Sequence, residues 1–199
     1  MLGGTYRDHI EMESICDGIK TFQVQLVPGL LQTPGYGRAV TVASRAWQTA
    51  EEVDKFVQVR MAGQERMAWQ ERLAGDAPLE FWAVLMEGVL RQHVGGPTVM
   101  HDQLLHLADL AERPNITVQV LPFSRGAHPG MFGQYLTLSF PRVSALDLVL
   151  TETPTGNIWI ERESDVARYR ELFDDSRTSA LPPTESLSMI RRTAKGHRP

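Results

Sequence analysis

The residues of this 199-residue chain best placed to do chemistry lie in and around one loop, Pro122-Phe-Ser-Arg-Gly-Ala-His-Pro-Gly130. An aromatic ring, a guanidinium, an imidazole and two glycines fall within nine positions. Three readings follow. The loop lines a pocket and aims His128 or Arg125 at a ligand. Alternatively, Gly126, Pro129 and Gly130 set a tight crossover and His128 satisfies a nearby carbonyl. Third, His128 is a general base, although the sequence names no nucleophile or orienting acid beside it. An acid–base enzyme would draw its catalytic groups from His128, Glu87, Tyr135 and Glu152, with Arg125 alongside. These residues fall at strand ends and loops, and such groups in an apolar pocket suit an isomerisation or cyclisation.

A binding site would use the same loop together with large side chains. The ligand-binding candidates are Trp82, Met86, Arg125, His128, Tyr135 and Trp159. Trp82 follows Phe81 on a probable strand, and a period of two turns one ring away from the main core. That ring lines a pocket or an interface, or a helix over the second face buries it. Trp159 and Glu161 sit on a short arm near the end of the sheet, as a partner surface or as core. Trp47, Met61, Met67 and Trp69 add a soft apolar stripe that is either core or a groove for a variable ligand.

Known catalytic signatures are missing. The chain has no GxSxG, P-loop, GxGxxG or HExxH motif. His101 and His106 are five apart and point about 140° away from each other on a helix, so they cannot share a metal there. A metal site assembled from distant His and Glu residues stays open. No cofactor is expected. The single Cys16 rules out an internal disulfide and a thiolate metal cluster, and fits a cytoplasmic location. No run of about 18 apolar residues would span a membrane. The net charge is −4. The segment 191–199 holds Arg191, Arg192, Lys195 and Arg198 and no acid, which leaves an acidic body poorly suited to phosphate backbones.

The elements that must position these residues read as follows. A short helix covers 6–18. A half-buried strand covers 20–27, with Phe22, Val24 and Leu26 on one side and Thr21, Gln23 and Gln25 on the other. Thr33-Pro34 caps and opens a helix. Thr49-Ala-Glu-Glu52 is a capping box for a helix running to about Leu73. Residues 79–85 form a buried strand and 88–91 lead into a loop. Gly95-Gly96-Pro97 opens a helix carrying Met100, Leu104, Leu107 and Ala111. Strands follow at 116–121, 134–140 and 146–151, joined around Pro141 where the last two meet, with a hairpin arm at 158–160. Ser164 caps a helix reaching Phe173 with Val166, Tyr169 and Phe173 inward, and Pro183 starts the last helix. The fold class is α/β or α+β: one domain over 6–194, a mixed β-sheet flanked by helices, and a basic flexible tail at 195–199.

Five segments together carry a resemblance: Gln25-Leu-Val-Pro-Gly-Leu-Leu-Gln-Thr, Val94–Met100, Leu110–Phe123, Gly126–Gly130 and Asp165–Phe173. In order and spacing they resemble the C-terminal domain, itself of unknown function, of actinobacterial helix-turn-helix regulators of the xenobiotic-response-element type. The helix-turn-helix itself is not in this sequence, and Pro182 stands where that family places a polar cap. The resemblance implies transcription regulation through an effector- or partner-binding domain that senses or dimerises. The partner would be a small-molecule effector or a small protein, with no direct nucleic-acid contact by this chain and no membrane. A homodimer, or a heterodimer with helix-turn-helix relatives, is also implied. The alternative is a stand-alone enzyme derived from such a domain, acting in a biosynthetic pathway.

Overall fold

The computed structural model describes residues 12–13, 15–44, 49–55, 57–58, 79–140, 147–153 and 156–197. Six strands form one mixed sheet: β1 (Gly18–Gln23), β2 (Glu80–Met86), β3 (Ile116–Leu121), β4 (Tyr135–Ser139), β5 (Leu148–Thr153) and β6 (Gly156–Ile160). Their spatial order is β3-β2-β1-β4-β5-β6. The first three are parallel, and β4, β5 and β6 each join antiparallel to the strand before them. Helices pack on this sheet in an α/β arrangement: α1 (Pro34–Ala43), α2 (Glu87–Arg91), α3 (Pro97–Leu110), α4 (Glu163–Ser179) and α5 (Pro183–Gly196).

Both faces of the sheet are covered. Ile19, Phe81, Ala83, Leu85, Val118, Val120 and Leu138 share one face with Met100, Leu104 and Leu107 of α3 and Ile190 and Ala194 of α5. Phe22, Val84, Leu121, Tyr135 and Val149 share the other with Val166 and Phe173 of α4. Two covered faces explain why Thr21 and Gln23 are buried instead of forming the exposed side of a half-buried strand.

Several element starts fall where the sequence put them. Thr33 caps α1, its side chain accepting from the Tyr36 amide. The Thr49 box is reciprocal: Thr49 N donates to Glu52 Oε2 at 3.0 Å and Glu52 N donates to Thr49 Oγ1 at 3.2 Å. Pro97 opens α3 behind Gly96, whose φ of 91° suits glycine.

Other boundaries move. β1 is Gly18–Gln23, and residues 24–26 bend away. The Val27 amide donates to Tyr36 Oη and its carbonyl accepts from Gln32, so that backbone is satisfied locally and not by a ladder. Residues 88–91 form α2 instead of entering a loop, with Glu87 and Arg91 ion-paired four apart at 2.6 Å. α4 starts at Glu163 with no side-chain cap and runs past Phe173 to Ser179. β5 sits two residues later than expected, at Leu148–Thr153. Lys195 and Gly196, assigned to a tail by sequence, close α5, and His197 is buried. The expected features at 1–11, Trp47, Met61, Met67, Trp69, Pro141 and 198–199 lie outside the described residues.

The β3 edge of the sheet is guarded. Val120 N of β3 donates to Ser186 Oγ at 2.9 Å, and Val120 O accepts from Leu181 N at 2.9 Å. The α4–α5 link and the first turn of α5 thereby occupy a strand edge that would otherwise offer free backbone groups.

Candidate binding site on the second sheet face

The direction of the sheet changes between β1 and β4. The carboxyl ends of β1, β2 and β3 point toward the segment 122–134, which leads into β4 at Tyr135, opposite Phe22. In open α/β sheets, ligands bind outside the carboxyl ends of strands at such a switch.

Aromatic side chains gather there. Phe22 lies 5.8 Å from the His128 ring and stacks on Tyr135 at 6.1 Å. Tyr135 in turn meets Tyr169 of α4 edge-on at 5.0 Å. The approach is tight: a Cβ on Gly130 would stand 2.2 Å from Phe22 Cζ. Gly126 (φ 69°) and Gly133 (φ 121°) bracket the segment in a region that side-chain-bearing residues avoid. On its outer side Phe123, Met131 and Phe132 are exposed, Phe132 by 92%.

Unpaired polar atoms lie in this apolar setting. Among the described residues, His128 Nδ1, Gln134 Oε1, Tyr135 Oη and Thr137 Oγ1 are buried without a hydrogen-bond partner. Tyr135 and Thr137 are 4% and 2% exposed and alternate along the same face of β4. Buried polar atoms are paired within the protein in the great majority of cases, so four within ten residues set this stretch apart. Lys20, opposite Thr137 in the register, places its ammonium 5.6 Å from the Phe173 ring.

Burial shifts two ionisable groups here toward their neutral forms. Burial lowers the His128 imidazole from its ordinary value. Burial also pushes the Tyr135 phenol above the tyrosine range, Ser176 opposing it and Tyr169 and Asp174 adding to it. Ser176 is near enough to act on the phenol, yet its hydroxyl donates to the Leu172 carbonyl at 2.7 Å. Its oxygen can still accept, so the phenol's nearest polar neighbour is an acceptor and not a donor. The site presents an imidazole and two hydroxyls beside aromatic rings. That set suits an apolar or aromatic molecule carrying one or two hydrogen-bonding groups.

The sequence candidates separate. His128 and Tyr135 come together around Phe22. Trp82 is on the same sheet face but fully engaged: its Nε1 donates to Gln119 Oε1 at 2.8 Å, Phe173 packs edge-on, and Arg177 covers its ring at 4.9 Å. Met86 packs at the border of both cores. Glu87 is buried at the end of β2, but both its oxygens are used, one on Arg91 and one on the Phe123 amide at 2.9 Å. Arg125 is exposed on the 3-10 turn Phe123–Arg125. Glu152 and Trp159 lie on the β5–β6 hairpin, Glu152 exposed and Trp159 packed against the first-face core. Phe22, Gln134, Thr137 and Tyr169 were not singled out as site residues. Alternation along β1 and β4 was the one signal that could have paired Phe22 with Tyr135.

Residues 6–192 match the family model described as Domain of unknown function (DUF5753). The chain belongs to this family. No curated protein matches it, and no solved structure matches it. The DUF5753 match spans every residue named at the site. Among the described residues of this DUF5753 domain, no cluster of three or more His, Cys, Asp or Glu could hold a metal ion, and no helix is long and apolar enough to cross a membrane.

Proposed function

We propose that this DUF5753 domain is the sensing part of a transcriptional regulator and binds a small-molecule effector between α4 and the second sheet face. One observation carries the reading: unpaired, buried polar atoms at His128, Tyr135 and Thr137 beside an aromatic cluster. The regulator context rests on the five segments that resemble domains attached to helix-turn-helix readers. The acidic body agrees with DNA contact being made elsewhere, in the cytoplasm, by an attached or partnering reader. The exposed Phe123, Met131 and Phe132 sit on the segment that closes over the site, so a protein partner reading occupancy would meet that rim.

A thermal-shift screen of small aromatic compounds tests this reading. Effectors should stabilise the wild type and lose that effect in Thr137→Val and Tyr135→Phe. Stabilisation that survives both substitutions would place binding elsewhere.

The acid–base enzyme reading keeps His128 and the buried Tyr135 phenol, both of which lie against the Phe22 ring. It loses Glu87, whose carboxylate is committed to Arg91 and Phe123. Turnover unchanged in His128→Ala would remove it.

A further inference from the structure

A second site lies on the opposite side of Glu87. Arg91, His93, Met189, Arg192, Thr193, Gly196 and His197 line an open cleft of about 380 Å³ between α2 and α5. The lining contains two guanidiniums, two imidazoles and a hydroxyl, and no carboxylate. In a chain of net charge −4 this is a local excess of positive charge. Helix ends explain part of it, because Arg91 closes α2 and His197 follows the last residue of α5. They do not explain Arg192, which is exposed and makes no ion pair or side-chain hydrogen bond among the described residues.

Two of the lining side chains are anchored. Arg91 Nε is fixed on Glu87 at 2.6 Å, which leaves its terminal amino groups to a ligand. His197 Nε2 lies 3.0 Å from the Leu90 carbonyl, and since a carbonyl only accepts, that nitrogen carries the proton. His93 packs edge-on against this anchored ring at 4.9 Å. One anchored guanidinium, Arg91, and one unpaired guanidinium, Arg192, with several free N–H groups match a phosphate oxyanion.

We infer that this cleft binds the phosphate group of a small molecule, through Arg91, Arg192 and His93. The site is separate from the aromatic one but linked to it. Glu87 holds Arg91 with one oxygen and the Phe123 amide with the other, so an anion on the terminal amino groups of Arg91 acts through Glu87 on the start of the segment over the first site. This inference does not rest on the effector reading.

The test is an amide NMR titration of the full chain with sodium phosphate, and separately with sodium acetate, at constant ionic strength. Phosphate should produce saturable shifts at His93, Thr193 and Phe123. Arg192→Gln, an exposed change that leaves the fold intact, should weaken binding by about tenfold or more, as expected for a lost charged hydrogen bond. His93→Gln should weaken it as well. Absence of saturable shifts, equal affinity in both variants, or acetate binding as tightly as phosphate would each overturn the inference.

Discussion

Gly130 lies flat against the Phe22 ring, with room for no side chain: an added Cβ would sit 2.2 Å from Phe22 Cζ and 2.4 Å from Cε1. Phe22 is fully buried and cannot step aside. Gly130→Ala should therefore destabilise the domain by about 1–3 kcal/mol, the cost of overpacking. In a Phe22→Leu background the same change should cost less, because the clash partner is shorter. Urea unfolding of the four proteins in this cycle measures the coupling. Equal costs in both backgrounds would mean that the segment relaxes away from the sheet freely.

Gln119 should be the most sensitive polar residue of the second face. Its Oε1 accepts from Trp82 Nε1, and its Nε2 donates to the carbonyls of Arg177 at 3.1 Å and Leu181 at 2.9 Å. Gln119→Leu leaves a donor and two acceptors without partners at once. The expected loss is about 2–4 kcal/mol, read by chemical denaturation. Gln119→Glu keeps the acceptor and loses the donor, so it should also destabilise.

Stability should fall on mild acidification, and two histidines should contribute. Burial lowers His128, and burial lowers His106 against a raising effect of Asp109. A lowered folded value means that the unfolded chain binds protons first, below about pH 6.5. Stability is then full above that pH and declines as pH drops through the folded values. Thermal midpoints of wild type and the His106→Gln, His128→Gln double variant, measured from pH 7.5 to 5, should diverge, with the variant losing less. Parallel curves would show that both rings accept a proton in the folded state at no cost.

Local signals were legible in the sequence and long-range ones were not. Thr33-Pro34, the Thr49–Glu52 box and Gly96-Pro97 mark their helix starts because capping is decided within four residues. The β-branched run Ile116–Leu121 gives its strand outright. The β1 frame was misread because Tyr36 and Gln32, downstream in the chain, withdraw Val27 from the ladder. α2 was missed because five residues give little periodicity; the Glu87–Arg91 pair and the Phe123 contact hold it. Of the site, His128 and Tyr135 were visible as chemistry. The role of Gly130 was not, since the Phe22 ring that explains it lies over 100 positions earlier. Thr137 reads as an ordinary strand residue until its hydroxyl is found buried and unpaired.

That hydroxyl gives a stability prediction of its own. Thr137→Val removes a buried group without a partner and keeps the shape, so the free protein should gain about 1 kcal/mol. A gain paired with lost binding is the pattern of a group kept for function. A loss of similar size in urea unfolding would mean that ordered water satisfies the hydroxyl in the resting state.

The most direct measurement is a methyl NMR titration of the full chain with phenol, indole and benzamide. The account predicts that at least one compound shifts the methyl signals of Thr137, Val149 and Val166 saturably, and that Thr137→Val weakens that response. If none of the three moves these methyls, or if Thr137→Val binds as well as wild type, the sheet face beneath α4 is plain core and the sensing site proposed there does not exist.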